Sequence, residues 1–426
     1  MSATGGTRVE LFVGKGGVGK TTLACATGMA HARAGQRVLI ASLDQAHSLG
    51  DALGFRFPHD PGTVAGVARV APGLEAIEID SLALLEDRFR DVVRMLDKGG
   101  GHDHGIDLAA LDPAELTGLP GVQELLMLVE IAQYTEEQDW DVIVIDCPPS
   151  ADMLRIVTAP DTLLSYLERL WPRHQRTMSA IGADLRKAVL AATVERIVKA
   201  VTQVRDLLAD RTRTSARLIT GPEQVAVAEA RRVRSAAALI GLRLDAVVVN
   251  KVLAPVPPPG EDAHPAVHWY LNRRAEQLEV VARLHEQLTD VPILIAQHAG
   301  AEPVGLSALS AFSYSLDTPS AAHAQGAESG EPMVRWESGS GVDSVYAMRM
   351  RLPVVDPGTL RLGRVEDDLI VGADGVRTRV RLAPVLQRCT VAGAELDDDQ
   401  LVVRFRPDPH VWPADPNYTK ATADEQ

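Results

Sequence analysis

Apolar and polar positions follow one rule up to about residue 315 and another beyond about residue 342. In the first part, short and nearly continuous apolar runs alternate with longer stretches of helical period. The runs lie at Arg8 to Val13, Arg37 to Ser42, Ala76 to Asp80, Asp141 to Ile145, Ser215 to Thr220 and Ala246 to Val249, with a last one after Val291. They predict strands buried on both faces, and their alternation with helices predicts a doubly wound, mostly parallel α/β sheet. Helical period from Ser81 to Gln138, broken by the glycine-rich segment Lys98 to Asp107, and from Thr162 to Asp210, interrupted near Pro172, predicts helical insertions. Beyond residue 342 the period drops to two: Tyr346, Met348, Met350 and Leu352 alternate with Ala347, Arg349 and Arg351, as do Leu401, Val403 and Phe405 with their neighbours. Asp374-Gly375 between two such runs is a hairpin signal. This part reads as a small all-β sandwich, with Arg377, Arg379 and Arg381 on a solvated strand face. The Ala-, Ser-, Gly-, Glu- and Pro-rich stretch Pro319 to Gly341 reads as a flexible linker. The expected organisation is an α/β domain over 1–315, a linker over 316–341, a β-sandwich over 342–410 and a tail over 411–426.

The first strand runs straight into glycines and then a helix. Gly14, Gly19, Lys20 and Thr21 complete G-x-x-x-x-G-K-[ST], in which a glycine-rich turn presents backbone N–H groups to an anion at a helix N-terminus. Gly16, Gly17, Val18 and Thr22 complete the candidate cradle. Lys20 is expected to hold the β- and γ-phosphates of a nucleotide and the Thr21 hydroxyl to bind Mg²⁺. Asp146 closes an apolar strand downstream, the placement of a carboxylate that holds Mg²⁺ directly or through water. Asp44 follows the second strand, where a carboxylate faces the ligand in an open α/β sheet, although a helix cap is an alternative reading.

Composition narrows the class. The 426 residues are 46% hydrophobic and carry a formal charge of −14, which argues against nucleic acid or an anionic membrane as main partner. No apolar run is long enough to span a bilayer, and the leading MSATGGT has no signal-peptide core, so a cytoplasmic location and no stable membrane insertion are expected. The three cysteines, Cys25, Cys147 and Cys389, lie far apart and give no metal framework. His102, Asp103 and His104 read as a glycine-hinged loop, because no further ligand accompanies them.

The run GKGGVGKTT resembles the deviant Walker A motif of the ArsA, MinD, ParA and nitrogenase iron-protein group. That resemblance implies an ATP-driven homodimer in which Lys15 reaches the partner's nucleotide. Asp44, Ala46, His47, Ser48, Leu49 and Asp51 are similar to the D-P-A-H-S-L-x-D switch of ArsA and of the eukaryotic ATPase that targets tail-anchored membrane proteins, with Gln45 in place of proline. The resemblance makes Asp44 the group that orients the attacking water. It also places Glu223, in a P-E motif, against nucleotide across the dimer, and Asn250 against the adenine. Glu302 and Gly305 match an E-x-x-G on the adenine side. Asp146, Pro149, Leu154 and Arg155 match the second switch, while Cys147, Pro148, Ala151 and Asp152 depart from it and look closer to ParA and MinD. The segment after Val345 resembles the α-crystallin (small heat-shock type) domain appended to some bacterial ArsA-like ATPases.

The reading that follows is a Mg²⁺-dependent, dimeric ATPase with ATP as cofactor. Asp44, Lys15 and Lys20 would carry the chemistry, coupled to a client protein or membrane-protein segment. A ParA/MinD-like positioning switch and a nucleotide-gated holding protein are the alternatives. Arsenite is disfavoured as cargo, because trivalent arsenic wants converging thiolates and these cysteines lie in separate segments.

Overall fold

The strand that feeds the glycine loop, β1 (Arg8–Gly14), lies in the interior of an eight-stranded sheet. The computed structural model describes residues 6–44, 48–58, 66–97, 122–181, 185–260, 263–314, 332–352, 355, 357–397 and 399–412. The sheet also contains β2 (Val38–Ser42), β3 (Ala68–Ala71), β4 (Leu74–Glu78), β5 (Val142–Asp146), β6 (Thr214–Thr220), β7 (Leu244–Val252) and β8 (Ile293–Gln297). Its order is β3-β4-β2-β5-β1-β6-β7-β8, and every pairing except β3 with β4 is parallel. All residues of β2, β5 and β6 are buried, as continuous apolar runs in a doubly covered sheet should be. Sequence reading missed β3. It is a short edge strand joined to β4 by Pro72-Gly73, and Gly73 takes a φ of 72° that suits the third position of a type II turn.

Helix α1 (Lys20–Arg33) follows the glycine loop and packs its buried Leu23, Ala24, Cys25, Ala26 and Met29 into one core with Phe12, Ile40, Val144 and Ile219 of the sheet. Short α2 (Ser48–Leu53) follows β2 and adds Leu49 and Leu53 to that core. The helical insertions comprise α3 (Ser81–Asp97), α4 (Val122–Glu137), α5 (Ser150–Leu170), α6 (Arg173–Ile181) and α7 (Leu185–Ala209). The break read at Lys98 to Asp107, with His102, Asp103 and His104, lies outside the described residues.

Helix α5 starts at Ser150, earlier than the pattern predicted, and runs through Pro160. Pro160 is buried, and packing outweighs the lost backbone donor there. Arg176 ties the insertion together: it is 4% exposed and meets Glu168 at 3.2 Å and Glu195 at 3.3 Å, which lie on α5 and α7. Only part of the apolar stripe in these helices is core. Val201, Val204 and Leu208 are buried, whereas Tyr166, Leu170, Met178, Leu190 and Ile197 face solvent. The remaining helices before residue 315 are α8 (Val225–Leu239), α9 (Pro265–Gln287) and α10 (Leu306–Ser313).

The chain divides into two units, one built on 1–230 and 242–325 and the other on 231–241 and 326–426. The second contains two antiparallel sheets. In one, β14 (Cys389–Asp397), β15 (Gln400–Pro407), β10 (Val345–Arg351) and β9 (Met333–Ser338) lie in that order; in the other, β11 (Arg361–Val365), β12 (Asp368–Ala373) and β13 (Val376–Arg381). Met348, Met350, Leu369, Val371, Leu401, Val403 and Phe405 share one core, so the alternation read from the sequence marks the inward faces. The short helix α11 (Pro384–Gln387) adds Leu386. Asp374 and Gly375 have φ of 50° and 85°, the positive values a two-residue hairpin turn needs. Arg379 and Arg381 pair with Asp368 and Asp367 at 3.6–3.9 Å on the surface. One correction concerns the linker: residues 333–338, assigned to it by composition, form β9 and pair with β10. Val334 and Trp336 supply strand-forming side chains that the surrounding Gly, Ser and Glu obscured.

Candidate functional site

Each element of the cradle has a local physical cause. The Gly14 backbone passes so close to β6 that an added Cβ would lie 2.1 Å from the Ile219 carbonyl oxygen. Gly17 and Gly19 have φ of 78° and 93°, the left-handed region where a side chain is strained. Gly19 is the N-cap of α1 and offers no side chain to the first-turn N–H groups, which leaves them to an anion. Lys20 is buried, and its Nζ donates to the Lys15 carbonyl at 3.3 Å.

Beneath the loop, the Thr21 hydroxyl donates to Asp146 Oδ2 at 2.6 Å and lies 3.3 Å from the Ser48 hydroxyl. Asp146 is completely buried at the end of β5, and its Oδ1 has no hydrogen-bond partner. Burial pushes its carboxyl up to about 6, against the opposing effects of the Thr21 hydrogen bond and the Lys20 charge; the charge of Asp44 adds to the rise. An orphaned carboxylate oxygen beside a hydroxyl is a donor set for a hard divalent cation. Mg²⁺ commonly takes one or two protein oxygens and completes its shell with phosphate and water. Among the described residues no group of three or more His, Cys, Asp or Glu converges as a separate metal site.

A cleft of about 880 Å³ opens above these groups. Gly16, Gly17, Gly19, Lys20, Thr21, Thr22, Asp44 and Asn250 lie on its wall, with Ser48 and Asp51 of α2 and the loop from Gln297 to Val304. Asp44 is half-buried, and its backbone N–H donates to the Ser42 hydroxyl at 3.2 Å. Gln45, Ala46 and His47 lie outside the described residues. Of the other expected site residues, Gly14 is buried behind the loop and Val18 supplies a carbonyl to Asn250. Lys15 and Glu223 are exposed and are not part of the wall. Asn250 uses both ends of its amide within the protein. Nδ2 donates to the Val18 carbonyl at 2.8 Å, and Oδ1 accepts from the Lys251 N–H at 2.9 Å, which leaves one hydrogen and one lone pair uncommitted. Sequence reading passed over Lys251, whose Nζ donates to the Gly17 carbonyl at 2.9 Å. The only signal was its place next to Asn250.

A mostly parallel sheet with a glycine cradle at the end of an interior strand, and an acidic strand end beside it, defines a P-loop NTPase. The family model described as anion-transporting ATPase matches residues 7–318, and one described as an HSP20-like domain found in ArsA matches residues 343–405. The chain belongs to the anion-transporting ATPase family of ArsA. It is 47% identical over 425 residues to Protein Rv2184c of Mycobacterium tuberculosis, covering 95% of this chain and 97% of that one. It is 26% identical over 409 residues to an Aquifex aeolicus protein provisionally named arsenical pump-driving ATPase 1, covering 93% and 99% of the two chains. With the ATPase GET3 of Malassezia globosa it shares 27% identity over 317 residues, which covers 70% of this chain and 88% of that one.

Proposed function

We propose that this chain binds ATP with Mg²⁺, hydrolyses it as a homodimer, and uses the resulting change of conformation to handle a client protein or membrane-protein segment. The observation that carries the reading is the pairing of Thr21 with a buried Asp146, one oxygen of which is unpartnered, directly behind a complete phosphate cradle. The loop N–H groups and Lys20 hold the phosphates and neutralise charge that builds on them during transfer. Thr21 and Asp146 would hold Mg²⁺, which when bound neutralises charge on the phosphate oxygens. Asp44 accepts a hydrogen bond from the attacking water and fixes its line of approach. Lys15, exposed and outside the cleft wall, is available to a nucleotide in a second copy, as is Glu223. The apolar side chains exposed on α5, α6 and α7 suit an apolar client segment. No helix among the described residues is long and apolar enough to cross a membrane.

The test separates binding from hydrolysis. Lys20→Ala should lose MgATP binding and turnover together. Asp44→Asn should bind MgATP normally while its turnover falls by about 100-fold or more, because Asn keeps the size and loses the charge that orients water. Wild-type turnover in Lys20→Ala would overturn the assignment, and an equal loss of binding in Asp44→Asn would return that residue to a structural role.

A further inference from the structure

The strand on the base side of the cleft is irregular where it meets the phosphate loop. Parallel pairing of β7 with β8 shifts register between Val249 and Val252, and Lys251 in that bulge has a φ of 62°. A lysine gains nothing from a left-handed backbone by itself, which strains any residue with a side chain. The bulge lets two neighbouring side chains, which an ideal strand would send to opposite faces, reach the same loop. Asn250 takes the Val18 carbonyl at 2.8 Å and Lys251 takes the Gly17 carbonyl at 2.9 Å. Both side chains also line the cleft.

We infer that Lys251 is a positioning residue for phosphate binding, acting through the backbone of the loop and not through contact with the nucleotide. In a trans peptide the C=O and the following N–H point in opposite directions. A Gly17 carbonyl fastened to Lys251 therefore turns the Val18 N–H away from β7, into the space the loop encloses, and a Val18 carbonyl fastened to Asn250 does the same for the Gly19 N–H. The two clamps hold consecutive donors in the orientation an anion requires before it arrives. Gly17 and Gly19 have no side chain to resist rotation of these peptides, so the constraint has to come from outside the loop. Asn250 has amide valences left for a base, and Lys251 extends the same bulge to the phosphates. Base recognition and phosphate preorganisation thus share one short piece of chain.

The inference rests on the nucleotide reading above, and the experiment separates the two. The full-length chain is titrated with MgATP, MgADP and adenosine as wild type, Lys251→Met, Lys251→Arg and Lys251→Gly, by calorimetry for the nucleotides and saturation-transfer NMR for adenosine. Lys251→Met should weaken MgATP and MgADP by roughly tenfold, the loss of one charge-assisted hydrogen bond, and leave adenosine unchanged. Lys251→Arg should recover most of the affinity. Lys251→Gly, free of backbone strain, should melt no lower than Lys251→Met yet bind nucleotide as weakly. Undiminished MgADP affinity in Lys251→Met, or an equal loss for adenosine, would overturn the proposal while leaving the nucleotide reading intact. A wild-type chain that binds neither MgATP nor MgADP would overturn both.

Discussion

At the scale of single residues, the most consequential buried charge outside the cleft is Glu10 on β1. It lies 3.2 Å from His31 Nε2 and 3.7 Å from Arg217, which in turn meets Asp245 at 3.2 Å. Burial alone would raise the Glu10 carboxyl; the His31 hydrogen bond and the charges of His31, Arg217 and Arg8 outweigh it and bring it down to about 2. A carboxyl held below its unfolded value of 4.5 stabilises the fold above that pH and loses the contribution as the pH falls toward 2. Glu10→Gln should therefore cost roughly 1–3 kcal/mol in urea unfolding at pH 7, with the gap to wild type closing on acidification below pH 4.5. A constant gap down to pH 3 would refute the ionic role. None of this was legible in the sequence, where Glu10 is one polar position in an apolar run and its partners are 21 and 207 residues away. Gly14, Lys20, Thr21 and Asp146 were legible because their pattern is local or sits at a strand end. Lys251 was not, since its role depends on a bulge that no periodicity announces.

Elements show the same division. Strands of the parallel sheet were readable as apolar runs because both their faces are covered, and the hairpin at Asp374-Gly375 was readable because its turn needs those residue types. β9 was hidden by linker-like composition, and the early start of α5 by Pro160. Helix α2 shows how an element too short to be stable alone is held in place. Ser48, its first residue, lies 3.3 Å from Thr21, while the Gly50 N–H donates to the buried Glu78 of β4 at 2.8 Å. An added Cβ at Gly50 would come within 2.9 Å of the Phe55 carbonyl oxygen, so the helix has little room to shift. Asp51 of the same helix lines the cleft, and Glu78 thereby positions one wall of it from outside. Glu78→Ala should destabilise the chain by about 1–3 kcal/mol and slow turnover, because it strands a helix donor; Glu78→Gln, which keeps an acceptor, should do little of either. Equal effects of the two substitutions in urea melts and steady-state assays would remove Glu78 from this role.

For the whole molecule, the first unit contains the cleft and has its own core, which sets an expectation for assembly. On the proposed dimer, a fragment of residues 1–315 should pair when MgATP is added, and Lys15→Ala in the full chain should weaken that pairing while retaining nucleotide, since Lys15 lies outside the cleft wall. Sedimentation at several nucleotide concentrations measures both. A fragment that stays monomeric with MgATP would move the interface to the β-sandwich. With Mg²⁺ kept in excess, a zinc-selective chelator should leave a pair intact, because no C-x-x-C exists in the chain to staple it with zinc. The burial of the cysteines has a further, practical side. All three are free thiols inside the protein, and Cys25 and Cys147 are pushed well above the ordinary thiol range by burial and by the charge of Asp146. Alkylating reagents attack thiolates at the surface, and the folded chain presents none. A single cysteine placed at exposed Met178 or Trp269 would thus take a spin or fluorescent label at one site per copy without removal of the native thiols. Nucleotide-driven movements between two copies become distances that can be read on the otherwise natural sequence.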